Sequence, residues 1–313
     1  MVRRSPHRRV PARLTFRDLL LVLAVVTVWG FSFVTIRWAL EGGPPFATAA
    51  LRFFFAAVPA VFFVKRPRVP WPTLVAYGFA IGVFQFGLLF LGMHLGMPAG
   101  LSSLVIQSQV FFTIGLAAWL LHEPVTRHSL IGACIAAAGM VVLGAHKVLE
   151  GATATFLGFL VVLGAALAWA VGNVITKRVT KGGDVDVLGL VVWASLAVPL
   201  PLAVASFAFE GGMAAVERVA HMPWKSWASV VFMGYCATLC GLAGWSALLH
   251  RYPASTIAPF ALLVPVSGLV SAAFFLGESL APMQLAGAGL VLAGLTWNIF
   301  AAQARDWIAR TFD

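Results

Sequence analysis

Charge is what this sequence most lacks. Only 10% of its 313 residues are Asp, Glu, Lys or Arg, where a soluble globular domain carries roughly a quarter. Acids are the scarcer sign, 11 against 21 Lys and Arg. No Asp or Glu lies within a long apolar run except Asp18, at the edge of the first. That removes the paired carboxylates of general acid–base chemistry and the buried acid of a proton-coupled antiporter. Neither H-E-x-x-H nor G-x-S-x-G occurs, so an intramembrane hydrolase cannot be assembled and no enzyme is expected. The three cysteines, Cys134, Cys236 and Cys240, sit in apolar segments without His or carboxylate neighbours. They make a poor metal site, are expected to pack as small apolar residues, and leave no cofactor or metal expected.

What the chain has in their place is apolar surface. Hydrophobic residues make up 61% of it and mean hydropathy is +0.94, the mark of an all-α polytopic membrane protein. The first apolar segment, Leu19 to Leu40, is too long for a signal-peptide core and lacks a small-residue cleavage site, so it reads as a retained span. Hydropathy and turn residues predict ten spans, at 18–40, 46–64, 73–94, 98–121, 128–146, 156–177, 187–209, 226–251, 254–277 and 281–302. The breaks between them, such as EGGPP at 41–45 and KRPRVPWP at 65–72, are Pro, Gly and charge clusters where a helix stops.

The net charge of +10 is not spread over a nucleic-acid-binding face. With the amino terminus inside, sixteen Lys and Arg fall in the tails and inner loops, including Arg3, Arg4, Arg8, Arg9, Arg13 and Arg17, against Lys147, Arg218 and Lys225 outside. This places both termini in the cytoplasm and makes the bilayer, not nucleic acid, the partner. Residues 1–17 and 303–313 are cytoplasmic tails.

The chain is also duplicated. PAGLSSLVIQSQVFFTIGLAAWLLHE, 98–123, recurs in degraded form as PASTIAPFALLVPVSGLVSAAFFLGE at an offset of 155, and Trp29, Ala57, Val58 and Pro59 match Trp169, Ala197, Val198 and Pro199 at an offset of 140. The change of offset locates about 15 extra residues in 210–225. Met213, Val216 and Val219 form an apolar stripe there, with Trp224 and Lys225 as anchors, so a helix lying flat on the outer face is predicted. Five spans is an odd number, so two copies, 18–146 and 156–302, enter from opposite sides. That is the inverted repeat of secondary transporters, with a substrate site expected at mid-membrane between the halves.

The duplication sorts candidates, since a residue in both copies serves the shared fold and a polar residue in one copy needs another reason. Glu123 and Glu278 are matched and are expected to cap the helix that follows each. Gly132 and Gly139, matched by Gly287 and Gly294, are packing positions. Arg52 is unmatched, its partner being Val192. Such a charge must be paired or hydrated, either by a substrate carboxylate or, in a structural role, by carbonyls or Glu278. Ser102, Ile106, Gln109 and Thr113 share one helix face, while Gln107 lies about 200° from Gln109. Gln109 with Ser102 is therefore preferred as cavity lining. Across from them Asn173 is unmatched and Trp169, four residues earlier, is matched. Gln85 at the middle of its span is either cavity lining or an interhelical hydrogen bond, and Trp193 either cavity wall or core.

VVWGFSFVTIRWAL, ALRFFFAAVPAVFFVKRPRVP, GMPAGLSSLVIQSQVFFT, LLHRYPAS and LLVPVSGLVSAAFFLGESL together resemble the EamA family of the drug/metabolite transporter superfamily, from about Leu19 to Phe300. The resemblance implies ten helices in two inverted EamA repeats, a bacterial inner-membrane location, and export of small metabolites by alternating access. Amino acids or derivatives such as cysteine and O-acetylserine are the nearest implied cargo, and aromatic amino acids, threonine, homoserine or drugs the alternatives. A small-molecule substrate and a monomer are expected. A channel is disfavoured, because Pro-broken helices in inverted repeats suit a carrier.

Overall fold

The structure is a computed structural model, and it describes residues 14–149, 153–181, 185–252 and 254–312. Every element among them is helical. They run α1 (Phe16–Leu40), α2 (Pro45–Phe62), α3 (Trp71–His94), α4 (Ala99–Leu121), α5 (Arg127–Leu149), α6 (Thr153–Thr180), α7 (Val187–Ser195), α8 (Pro199–Phe209), α9 (Met213–Ala220), α10 (Trp224–Arg251), α11 (Pro259–Leu276) and α12 (Pro282–Phe312). Seven of these are long and apolar enough to cross a membrane, and the pair α7 and α8, bent by 40°, makes an eighth if taken as one span. Arg127–Leu143 of α5 is a shorter apolar helix. Large apolar side chains such as Phe62, Phe63, Trp119, Leu200 and Phe274 point outward, as they must where the surroundings are hydrocarbon rather than water.

Proline sets where the helices break, and it does so at matched positions. The α-helical part of α2 ends at Ala57, just before Pro59, and continues as a 3-10 turn over Ala60–Phe62. α7 stops at Ser195 and α8 restarts at Pro199, where a single span over 187–209 is predicted from hydropathy. Pro59 and Pro199 each lack the N–H that would carry the helix through. Two further irregularities recur in both halves. Phe79–Phe86 in α3 and Met233–Cys240 in α10 are wound as π-helix, and the ends of α4 and α11 are closed by His122 and Gly277 with φ of 55° and 66°.

Polar ties sort the loops into two ends, and most of them join the first half of the chain to the second. At the end carrying the 65–72 loop, the Asp18 carboxylate accepts from Arg251 Nη1 at 2.6 Å and Tyr252 Oη at 2.7 Å, and Lys177 pairs with Glu123. At the opposite end the Glu210 carboxylate accepts from Phe46 N at 2.8 Å, Ser226 Oγ donates to the Trp38 carbonyl at 2.8 Å, and Lys225 pairs with Glu41 at 3.2 Å. α9 lies at this second end, with Met213 and Val216 exposed and Ala215 buried.

Small residues let α5 and α12 meet backbone to backbone. A Cβ on Gly139 would stand 2.7 Å from the Gly287 carbonyl oxygen, and one on Gly294 would stand 2.5 Å from that of Gly132. These four glycines pair across the two halves, as small residues do at membrane helix interfaces. The cysteines correct the sequence expectation. Cys134 and Cys240 are exposed and Cys236 half-buried, because α5 and α10 turn those faces away from the bundle.

Candidate functional site

Four buried side-chain atoms have no hydrogen-bond partner among the described residues: Arg52 Nε and Nη1, Gln85 Oε1 and Ser102 Oγ. An unpaired polar group in a low-dielectric interior is costly, so each such group needs a reason. All four belong to residues singled out in the sequence.

Arg52 sits on α2 with 5% of its surface exposed. Its Nη2 donates to Thr238 Oγ1 at 3.3 Å, and Thr238 donates in turn to the Met233 carbonyl five residues back. The guanidinium carbon lies 3.8 Å from the centre of the Phe86 ring, a favourable cation–π distance. No carboxylate reaches it among the described residues. Glu278, one partner considered for it, instead accepts from Ala99 N at 2.8 Å and Gly100 N at 2.9 Å. Glu278 therefore caps α4 of the first half and not α12, which follows it in sequence.

Gln109 and Asn173 do meet. Asn173 Nδ2 donates to Gln109 Oε1 at 2.6 Å and to Thr113 Oγ1 at 3.1 Å, and Thr113 donates to the Gln109 carbonyl at 2.6 Å. This three-residue network joins α4 to α6 between the halves. Ser102 is not part of it. Ile106–Ser108 is a 3-10 turn, which turns the chain by about 120° per residue against about 100° in an α-helix and so breaks the face shared by Ser102 and Gln109 in a regular count. Ser102 is fully buried, on the stretch of α4 whose Ser103 packs against Pro265 and Gly268 of α11. Trp169 is half-buried against the main apolar core, one turn before Asn173. Trp193 lies elsewhere. Its Nε1 donates to the Val64 carbonyl at 2.9 Å and its ring stands 6.1 Å from that of Trp71, so it anchors the 65–72 loop.

Sequence reasoning passed over Thr238 and Phe86, which hold Arg52, and Glu210, which caps α2. Thr238 carried a weak signal as the only Thr in an apolar run, whereas Phe86 is one of 25 phenylalanines and nothing distinguishes it. A cleft of 310 Å³ lies between the starts of α4 and α12, lined by Pro98, Leu101, Glu278 and Gln284 among others. None of the seven sequence-predicted site residues lines it.

The family model described as "EamA-like transporter family" matches residues 17–145 and again 156–300. The chain belongs to the EamA-like transporter family. It is thus a multi-pass membrane transporter carrying two EamA domains, not an enzyme. Among EamA relatives, the "Probable amino-acid metabolite efflux pump" of Salmonella typhimurium is 42% identical over 92% of this chain and 97% of its own length. The Escherichia coli protein of the same description is 40% identical over the same shares. A "Probable terminal-alkyne amino-acid exporter" of Streptantibioticus cattleyicolor is 29% identical over 88% of this chain and 90% of its own. A crystal structure at 18% identity superposes with a TM-score of 0.62 over 92% of this chain and 97% of that one, a likeness in fold alone.

Proposed function

We propose that this EamA transporter exports small amino acids or their derivatives from the bacterial cytoplasm, cysteine and O-acetylserine foremost. In this reading it works as a monomer of ten inner-membrane spans in two inverted repeats, with both termini cytoplasmic. The observation that carries it is the 42% identity, end to end, with a probable amino-acid metabolite efflux pump. Physical support comes from buried and half-buried polar groups. Gln85, Ser102, Gln109, Asn173 and Trp169 offer neutral amide, hydroxyl and indole surface with Arg52 as a lone cation, which suits a small zwitterion. A phosphate ester would call for several Lys or Arg at that depth. Trp193 serves the inner loop instead of the cargo.

Ties between the halves at both ends of the bundle fit alternating access, since one set can open while the other holds. The test is efflux from cells expressing the protein, loaded with radiolabelled cysteine, O-acetylserine, threonine, homoserine or phenylalanine, with and without a pH gradient. Faster efflux of cysteine or O-acetylserine than from control cells is expected. Efflux of sugar phosphates with no effect on any amino acid would contradict the reading.

A further inference from the structure

The two π-helical segments, one in each half of the chain, converge on Arg52. Phe86, the last residue of the first segment, lies against the face of the guanidinium, and Thr238, in the second, takes its single hydrogen bond. A π-segment inserts a residue into the helix and disturbs its backbone ladder, and such segments cluster at functional sites. Here the two together hold a buried cation without neutralising it. A guanidinium has five N–H donors, and only one is used among the described residues. Whichever Nη2 hydrogen Thr238 occupies, the other belongs to an edge of the guanidinium that remains whole, with two parallel donors. That edge is the geometry that grips a carboxylate with two hydrogen bonds. Gln85, the residue before Phe86, buries an amide oxygen without a donor, the complement an ammonium group would satisfy.

We propose that Arg52, oriented by Thr238 and Phe86, is the carboxylate-binding residue of the transport site and makes the cargo's free acid group a condition of recognition. This rests on the exporter reading and narrows it to substrates with an unblocked carboxylate. The remaining contacts select among side chains. Arg52 is closed off in the present conformation, so the cargo reaches it only when the halves part at one end.

The test uses the purified full-length protein, with thermal midpoints titrated with cysteine, threonine, O-acetylserine and phenylalanine, each against its methyl ester. Proteoliposome transport of the same compounds is measured alongside. The wild type is expected to bind at least one free acid about tenfold more tightly than its ester, the weight of a charged hydrogen bond. Arg52→Gln should bring that ratio close to one, and Arg52→Lys, which keeps the charge but not the fork, should leave an intermediate value. Thr238→Val should reduce the ratio with Arg52 intact. A wild-type protein without preference for any free acid overturns the proposal, as does a folded Arg52→Gln variant with the wild-type ratio. Should Arg52→Gln not fold, the ratio in Arg52→Lys decides: a reduced ratio upholds the proposal and an unchanged one overturns it. An Arg52-dependent preference in the thermal titration, with no transport of any compound, counts against the exporter reading and leaves the subsite standing. Transport with an acid-to-ester ratio independent of Arg52 does the reverse.

Discussion

Glu123 and Glu278 occupy equivalent positions in the repeat and do different work. Glu278 gives both carboxylate oxygens to the first free amides of α4, where charge and helix dipole add to the hydrogen bonds. Glu278→Ala is expected to cost about 1–2 kcal/mol, the usual weight of a lost N-cap, read as a lower thermal midpoint. Glu123 pairs with Lys177 and Lys181 at a solvated edge, and the hydrogen bond from Lys177 holds its carboxyl below the usual carboxylate range. A lowered folded value means that this tie acts above the carboxylate range and fades as pH falls through it. Exposed pairs contribute little, so Glu123→Ala should leave the midpoint nearly unchanged. A larger loss from Glu123→Ala than from Glu278→Ala would reverse this assignment. The sequence leads one to expect each acid to cap the helix that follows it. Glu278 caps α4 instead, because the nearest helix in the chain is not the nearest in space. Glu123 caps none among the described residues, Thr126 accepting from Ser129 N at the start of α5. Gln109 and Asn173 pose a similar problem. Each stands out as an unmatched polar residue, yet their contact lies 64 positions apart. A double-mutant cycle with Gln109→Ala and Asn173→Ala should show a coupling of about 1 kcal/mol, and additive effects would mean the bond is not formed.

Where their glycines meet, α5 and α12 leave no room for added volume. Gly139→Val would drive a branched side chain into the Gly287 backbone, and a cost of about 1–3 kcal/mol is expected from overpacking. Gly289, on the same α12, has nothing within 4 Å of an added Cβ. Gly289→Ala should be neutral or stabilise by up to about 1 kcal/mol through helix propensity. Equal effects of the two substitutions on thermal midpoint would show that the helices do not meet where described. Periodic glycines make this contact legible from sequence, because a small residue matched in both halves has few other uses. The π segments are not legible. Nothing in FAIGVFQF or MGYCATLC separates a π turn from an α turn, since the extra residue is accommodated by the packing of α3 and α10 against α6 and α2. The left-handed end of α4 shows the same limit. Gly277 adopts that conformation freely, whereas His122 holds φ 55° against its own side chain. His122→Gly should add about 1 kcal/mol of stability, read as a higher thermal midpoint.

For the whole molecule, hydropathy carried most of the helices, because a bilayer leaves so few alternatives to packed helices. Of the ten predicted spans, seven fall on helices long and apolar enough to cross a membrane and 187–209 on the bent pair α7 and α8, whose bend enters through a proline the sequence displays. By contrast, 128–146 falls on a shorter apolar helix and α12 runs to Phe312, well past 302. The candidate residues were legible as a class, polar groups where none should be, but their pairing was not. Gln109 meets Asn173, Arg52 meets Thr238 and Phe86, and Trp193 turns to the loop, all through contacts between distant segments. The proposed carrier opens one end at a time, and counterflow in proteoliposomes tests that most directly. Vesicles preloaded with unlabelled cysteine or O-acetylserine should take up the labelled compound several-fold faster than empty vesicles and pass through a transient overshoot, as exchange through a single alternating site requires. Uptake that is the same in loaded and empty vesicles, without overshoot, would contradict a carrier and indicate an open pore.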